Sequence, residues 1–245
     1  MSGQAVSSGA ADETTVIDVR PASAPGWFGK LAMLGDFASR RLSPAFIDRC
    51  DEWISSGISA SRTQLGARWL DAYLTGPIWR FAFAPGVIDA QWWFGTLMPS
   101  VDAVGRYFPL VVADARQSAP LSIDAFDRLE GWYAHVAAAA LETLTAGGSI
   151  DAYEAALERT PLLADAAPPT APMNTLLASR DRHTLSGTPA LRQWAVLLST
   201  HEPLRRYAGH SFWSPLHDGA GQASLSVSTG LPAPEAFALL LEGRW

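Results

Sequence analysis

Residues 77–113 read PIWRFAFAPGVIDAQWWFGTLMPSVDAVGRYFPLVVA, and this stretch decides the fold class. Trp79, Phe81 and Phe83 alternate with Arg80, Ala82 and Ala84, the period of two expected of a strand. Pro85-Gly86 ends that segment. Residues 91–98 and 108–113 predict two further strands, separated by a connection containing Pro, Gly and charged residues, 99–107. So many aromatic side chains on neighbouring strands predict a sheet enclosed on both faces.

Working outward towards the N-terminus, residues 69–74 predict a short helix that stops at Gly76-Pro77. Before it, Ser43 and Pro44 predict a longer helix start, the serine as cap and the proline at the first helical position, where its missing N–H costs nothing. Phe46, Ile47, Cys50, Trp53, Ile54 and Gly57 share one face of that helix, with Asp48, Asp51, Glu52 and Ser55 on the other. Six of the ten tryptophans fall between residues 27 and 93, so the main core belongs to this block. Trp27, Trp53 and Trp79 are assigned to that core. Residues 1–25 are small and polar and are expected to form a flexible leader, because such a segment buries too little surface to offset its ordering entropy.

Towards the C-terminus, Ser122 caps an expected helix in which Ile123, Phe126, Leu129, Trp132, Tyr133, Val136, Ala140, Leu141 and Leu144 recur at three- and four-residue steps until Gly147-Gly148. Shorter helices are expected at 150–159, 190–200 and 234–241, and strands at 210–214 and 223–228. Interspersed helices and strands predict an α/β chain with a mixed central sheet, residues 26–245 forming one domain.

Charged residues make up only 17% of the chain, against roughly 25% in an average soluble domain. A formal net charge of −6 argues against a nucleic-acid partner, since phosphate recognition needs a dense positive field. No run of 18 apolar residues exists, so no membrane insertion is expected. Without a basic segment followed by an apolar one at its start, and with the single cysteine Cys50, the chain is expected in the cytoplasm. Cys50 lies on the apolar face of its helix and reads as a small buried hydrophobe.

Signs of catalysis are weak. No two of His135, His183, His201, His210 and His217 stand at the i, i+4 spacing that presents two imidazoles to one metal. Gly29-Lys30 lacks the following Ser or Thr of a phosphate loop, and the expectation is that no cofactor is used. The enzyme alternative is a small hydrolase or phosphatase-like activity built on His210, Ser211 and His217, which requires those side chains to converge. The connection after the second strand carries Asp102 and Arg106, which either pair to fix the loop or leave Arg106 displayed for a partner. Asp36, just after Gly35, has the same two readings.

Three blocks together resemble the type VI secretion-associated TagF family, also called ImpM. They are Gly26-Trp27-Phe28-Gly29-Lys30-Leu31 with Gly35-Asp36-Phe37 and the Ser43-Pro44 helix; Trp69-Leu70-Asp71-Ala72-Tyr73-Leu74 with Pro77-Ile78-Trp79-Arg80-Phe81; and Met98 to Leu110. The resemblance implies a three-layer α/β/α sandwich. It also implies a cytoplasmic, non-enzymatic negative regulator that acts after translation, through a forkhead-associated scaffold protein of the same secretion system. A structural subunit of the apparatus is a further possibility.

Overall fold

Strands that carry aromatic side chains on both faces are kept from water only when both faces are covered. A computed structural model of the chain describes residues 24–119, 123–161, 163, 180–186, 207–216 and 222–245. Its strands are β1 (Gly26–Gly29), β2 (Ala38–Arg40), β3 (Trp79–Phe83), β4 (Trp92–Met98), β5 (Leu110–Arg116), β6 (Arg180–Ser186), β7 (His210–Pro215) and β8 (Gln222–Thr229). They form one sheet in the order β2-β1-β5-β4-β3-β7-β8-β6.

Every neighbouring pair in that order is antiparallel, which corrects the expected mixed sheet. The reason is connectivity. β3, β4 and β5 are joined by short links into a meander, and a parallel neighbour would need a long crossover. The helices that follow β5 do not lead the chain back beside it; among the described residues the chain next enters the sheet at β6, on the far edge.

One layer consists of α1 (Pro44–Leu65), α2 (Trp69–Leu74) and a C-terminal helix, α5 (Phe237–Leu241). The Ser43 hydroxyl accepts the Phe46 N–H at 3.2 Å, and Pro44 occupies the first turn. Phe46, Cys50, Trp53, Ile54, Ile58 and Leu65 pack on Trp79, Phe81, Phe83, Trp93, Leu97 and Trp213 of the sheet. α1 runs eight residues beyond Gly57, the last residue of the expected face. Its later turns hold Ser61, whose hydroxyl accepts the Trp69 indole N–H at 2.9 Å. Gly57 is needed where α5 crosses, because a Cβ there would lie 2.4 Å from the Phe237 ring. Trp53 donates its indole N–H to the Pro232 carbonyl at 2.7 Å, and Trp79 donates to the Leu240 carbonyl at 2.9 Å.

The second layer consists of α3 (Ile123–Glu142) and α4 (Ile150–Glu158). Phe126, Leu129, Trp132, Tyr133, Val136 and Ala140 cover Ala82, Trp92, Phe94, Val112 and Phe212. These two layers and the sheet make the three-layer α/β/α sandwich. Leu141 and Leu144 do not join the core as expected and are 46% and 42% exposed. Leu141 sits a further 100° round the helix from Ala140, and Leu144 lies past the helix end. Arg80, which alternates with the aromatic side chains of β3, is buried and donates to the Ser214 hydroxyl and the Pro215 carbonyl at 3.1 and 2.8 Å.

Ala24 is already buried. Beside it, Glu154 on α4 accepts the Trp27 indole N–H at 2.5 Å and the Arg41 guanidinium at 2.6 Å, fastening α4 to β1 and β2. Burial would raise the Glu154 carboxyl, but these two donors outweigh it and hold it below the usual range. The expected cap Ser122 and the expected helix at 190–200 lie outside the described residues.

Candidate functional site

The connection between β4 and β5 is a closed loop. The Phe108 N–H donates to the Ser100 carbonyl at 3.2 Å, Val101 bridges Tyr107, and the Asp102 N–H donates to the Arg106 carbonyl at 3.1 Å. The turn is completed by Gly105 at φ +84°, a left-handed geometry that side-chain-bearing residues resist.

Asp102 is the hub of this loop. Its Oδ1 accepts the backbone N–H groups of Val104 at 3.1 Å and Arg106 at 2.8 Å. Its Oδ2 accepts Lys30 Nζ at 2.5 Å and Arg106 Nε at 2.7 Å. The Asp102 side chain has no exposed surface and that of Lys30 only 4%, so the pair is sealed. Burial by itself would raise the Asp102 carboxyl. The Lys30 ammonium, then the backbone and side-chain donors of Arg106 and the Val104 N–H, outweigh it and hold the carboxyl well below the usual carboxylate range. Asp102 therefore fixes the loop from beneath and is placed out of reach of a partner.

The hub has a second support. Ser100 donates its hydroxyl to the Lys30 carbonyl at 2.7 Å, and the Tyr73 hydroxyl donates to the Ser100 carbonyl at 2.8 Å. The Tyr107 ring rests on Tyr73 and Trp69, with centroids 5.6 and 6.1 Å away, so α2 lies under the loop.

A second loop, residues 32–37, lies alongside. The Ala103 N–H donates to the Leu34 carbonyl at 2.8 Å, and Arg106 Nη2 donates to the Gly35 carbonyl. Arg106 Nη2 also stands 3.9 Å from Asp36, whose side chain is 84% exposed. Arg106 pairs with Asp102 and leaves 54% of its side chain exposed. Phe37 packs its ring on Phe108 at 4.7 Å and on the Lys30 ammonium at 4.4 Å, yet remains about half exposed. Lys30, Phe37 and Val104 were not singled out as site residues. The available signal was Lys30, the chain's one lysine, standing inside the apolar run GWFGKL.

Asp102 sets an acid limit on stability. Its folded pKa lies below the ordinary value of about 4, so its contribution is complete above that pH and is lost as pH falls through the lower folded value. The difference in unfolding midpoint between the native chain and Asp102→Asn should stay constant from neutral pH to about pH 5 and shrink below pH 4. Urea titrations across that range check this, and a difference that grows in acid contradicts it.

The residues of the hydrolase alternative do not converge where they are described. His210 and Ser211 are successive residues of β7 and face opposite sides of the sheet. Ser211 donates to the Gly230 carbonyl at 2.6 Å, accepts the Trp213 indole N–H at 2.9 Å and lies 3.0 Å from the Ser228 hydroxyl. His210 Nδ1 bonds the Ala208 carbonyl at 2.9 Å. His217 lies outside the described residues. Cys50 is buried and its thiol is pushed far up, mainly by that burial, which leaves it without thiolate character.

The loop pair and the strands that carry it fall inside a segment with known relatives. The family model of the TagF N-terminal domain, type VI secretion system-associated, matches residues 26–160. The chain belongs to the TagF family. The TagF likeness continues beyond that segment: the crystal structure of PA0076 from Pseudomonas aeruginosa PAO1 matches with a TM-score of 0.66 and 36% identity, over 90% of this chain and 94% of that one. Among curated proteins, none matches. This TagF chain is accordingly a type VI secretion-associated protein. No helix among its described residues is long and apolar enough to cross a membrane.

Proposed function

We propose that this chain represses type VI secretion after translation, in the cytoplasm and without catalysis of its own, by occupying a forkhead-associated scaffold protein of the same system. Membership of the TagF family supplies the setting. The observation that carries the reading is the loop pair, in which Arg106 is fixed by Asp102 and Gly35 while half of its side chain faces outward. Loops held by a rigid sheet are common recognition sites, and contacts fixed in advance lose little entropy on binding. Arg106 and Asp36 are the contact candidates, and Asp102 acts through them.

Repression by occupancy follows mass action. Excess protein should silence secretion, deletion should raise basal secretion, and the amounts of the apparatus proteins should stay the same in both. Secretion assays with quantitative immunoblots, alongside a pull-down of the purified chain with the purified scaffold, test this. Unchanged secretion on deletion under inducing conditions overturns the reading, as does co-fractionation of the chain with the assembled apparatus as a subunit.

A further inference from the structure

We infer that the loop pair docks on a protein surface where a carboxylate borders an apolar depression, with Phe37 and Val104 as the apolar anchors and Arg106 as the charged one. The inference rests on the occupancy reading above and specifies the chemistry of the partner.

Three observations carry it. The first is continuity: loops 32–37 and 100–108 are stitched together through Ala103 to Leu34 and Arg106 to Gly35, so the exposed residues of both form one pre-set patch. The second is apolar exposure. Val104 is 68% exposed and Phe37 46%, whereas nearly all the other aromatic rings among the described residues are buried. An aromatic ring and an aliphatic knob beside an arginine have the make-up of an interface hot spot.

The third is the charge balance. Asp102 is shared between Lys30 and Arg106, one buried carboxylate against two cations, so it offsets only part of the positive charge gathered at the loop. Arg106 spends Nε on Asp102 and Nη2 on Gly35, and Nη1 has no partner among the described residues. Asp36 lies at 3.9 Å and is mostly in solvent, where screening makes it a weak counterion. A carboxylate is the complement to the remaining guanidinium edge. A phosphorylated segment fits less well, because a dianion is matched by a cluster of arginines and the patch offers the free edge of one, with Lys30 sealed beneath it.

The test uses the purified full chain and the purified scaffold, with affinity and thermal unfolding measured on each preparation. Val104→Glu should leave unfolding unchanged and weaken binding about tenfold or more. Arg106→Glu should weaken it roughly thirtyfold or more. Reversal of one acidic scaffold residue to arginine should restore binding to the Arg106→Glu chain. If the native chain binds and both variants bind equally well, the patch is wrong and occupancy stands. If the native chain does not bind the scaffold but both variants lose repression in cells, the scaffold reading fails and the patch remains a docking site for another protein. If both variants also repress normally, the patch is refuted. Binding abolished by dephosphorylating the scaffold assigns the site to a phosphorylated segment and overturns the carboxylate.

Discussion

Trp53→Ala should lower the free energy of unfolding by about 3–5 kcal/mol, the range for deleting a large buried aromatic side chain. The indole lies between Trp213 and Phe237, with ring centroids 5.3 and 5.5 Å away, and its N–H is the donor to the Pro232 carbonyl. Truncation opens a cavity between α1 and the sheet and leaves that carbonyl without its donor. Trp53→Phe keeps part of the volume and should fall between the two. Guanidinium unfolding of the three chains measures the series; an unchanged midpoint for Trp53→Ala would remove Trp53 from the core.

Asp102→Ala should have an effect of similar severity by a different route. It strands the Lys30 ammonium in a sealed site, and an unpaired buried charge is far more costly than a missing pair. The molecule relieves this by letting the loop open, and Lys30 reports it. As the chain's one lysine, it is read against the N-terminal amine alone when an amine-reactive reagent is applied. In the native chain Lys30 should resist labelling, and in Asp102→Ala it should react about tenfold faster or more. Adding Lys30→Met to Asp102→Ala should recover much of the lost stability, since both charges are then gone. Protection of Lys30 in Asp102→Ala equal to that in the native chain would show that Asp102 does not hold the loop.

The parts of the fold legible in the sequence are those where local chemistry and burial agree. The start of α1 was readable because Ser43 and Pro44 are a cap and a first-turn residue in their own right. Its continuation to Leu65 was not, because the polar run Ser59 to Thr63 hides Ser61, whose burial depends on the Trp69 indole. β2 and β6 carry no apolar alternation in Ala38–Arg40 or Arg180–Ser186; each is a strand because of the partner it pairs with. The mixed sheet was expected from alternating helices and strands, a pattern that does not record where the chain re-enters the sheet. Arg106 and Asp36 were readable as loop residues. Their environment was not, because Lys30 reaches Asp102 across 72 residues of sequence.

The same long reach governs how the chain folds as it is made. The indole of Trp53 finds its acceptor 179 residues later, and that of Trp79 finds its own 161 residues later. The inner edge of β3 likewise stays open until β7 exists to pair with it. At synthesis rates of about 5–20 residues per second, that aromatic surface stays uncovered for roughly 10–40 s on each ribosome. The helix-and-sheet face that ends buried beneath α1 and α5 is thus uncovered for much of translation, the condition under which chaperone shelter matters.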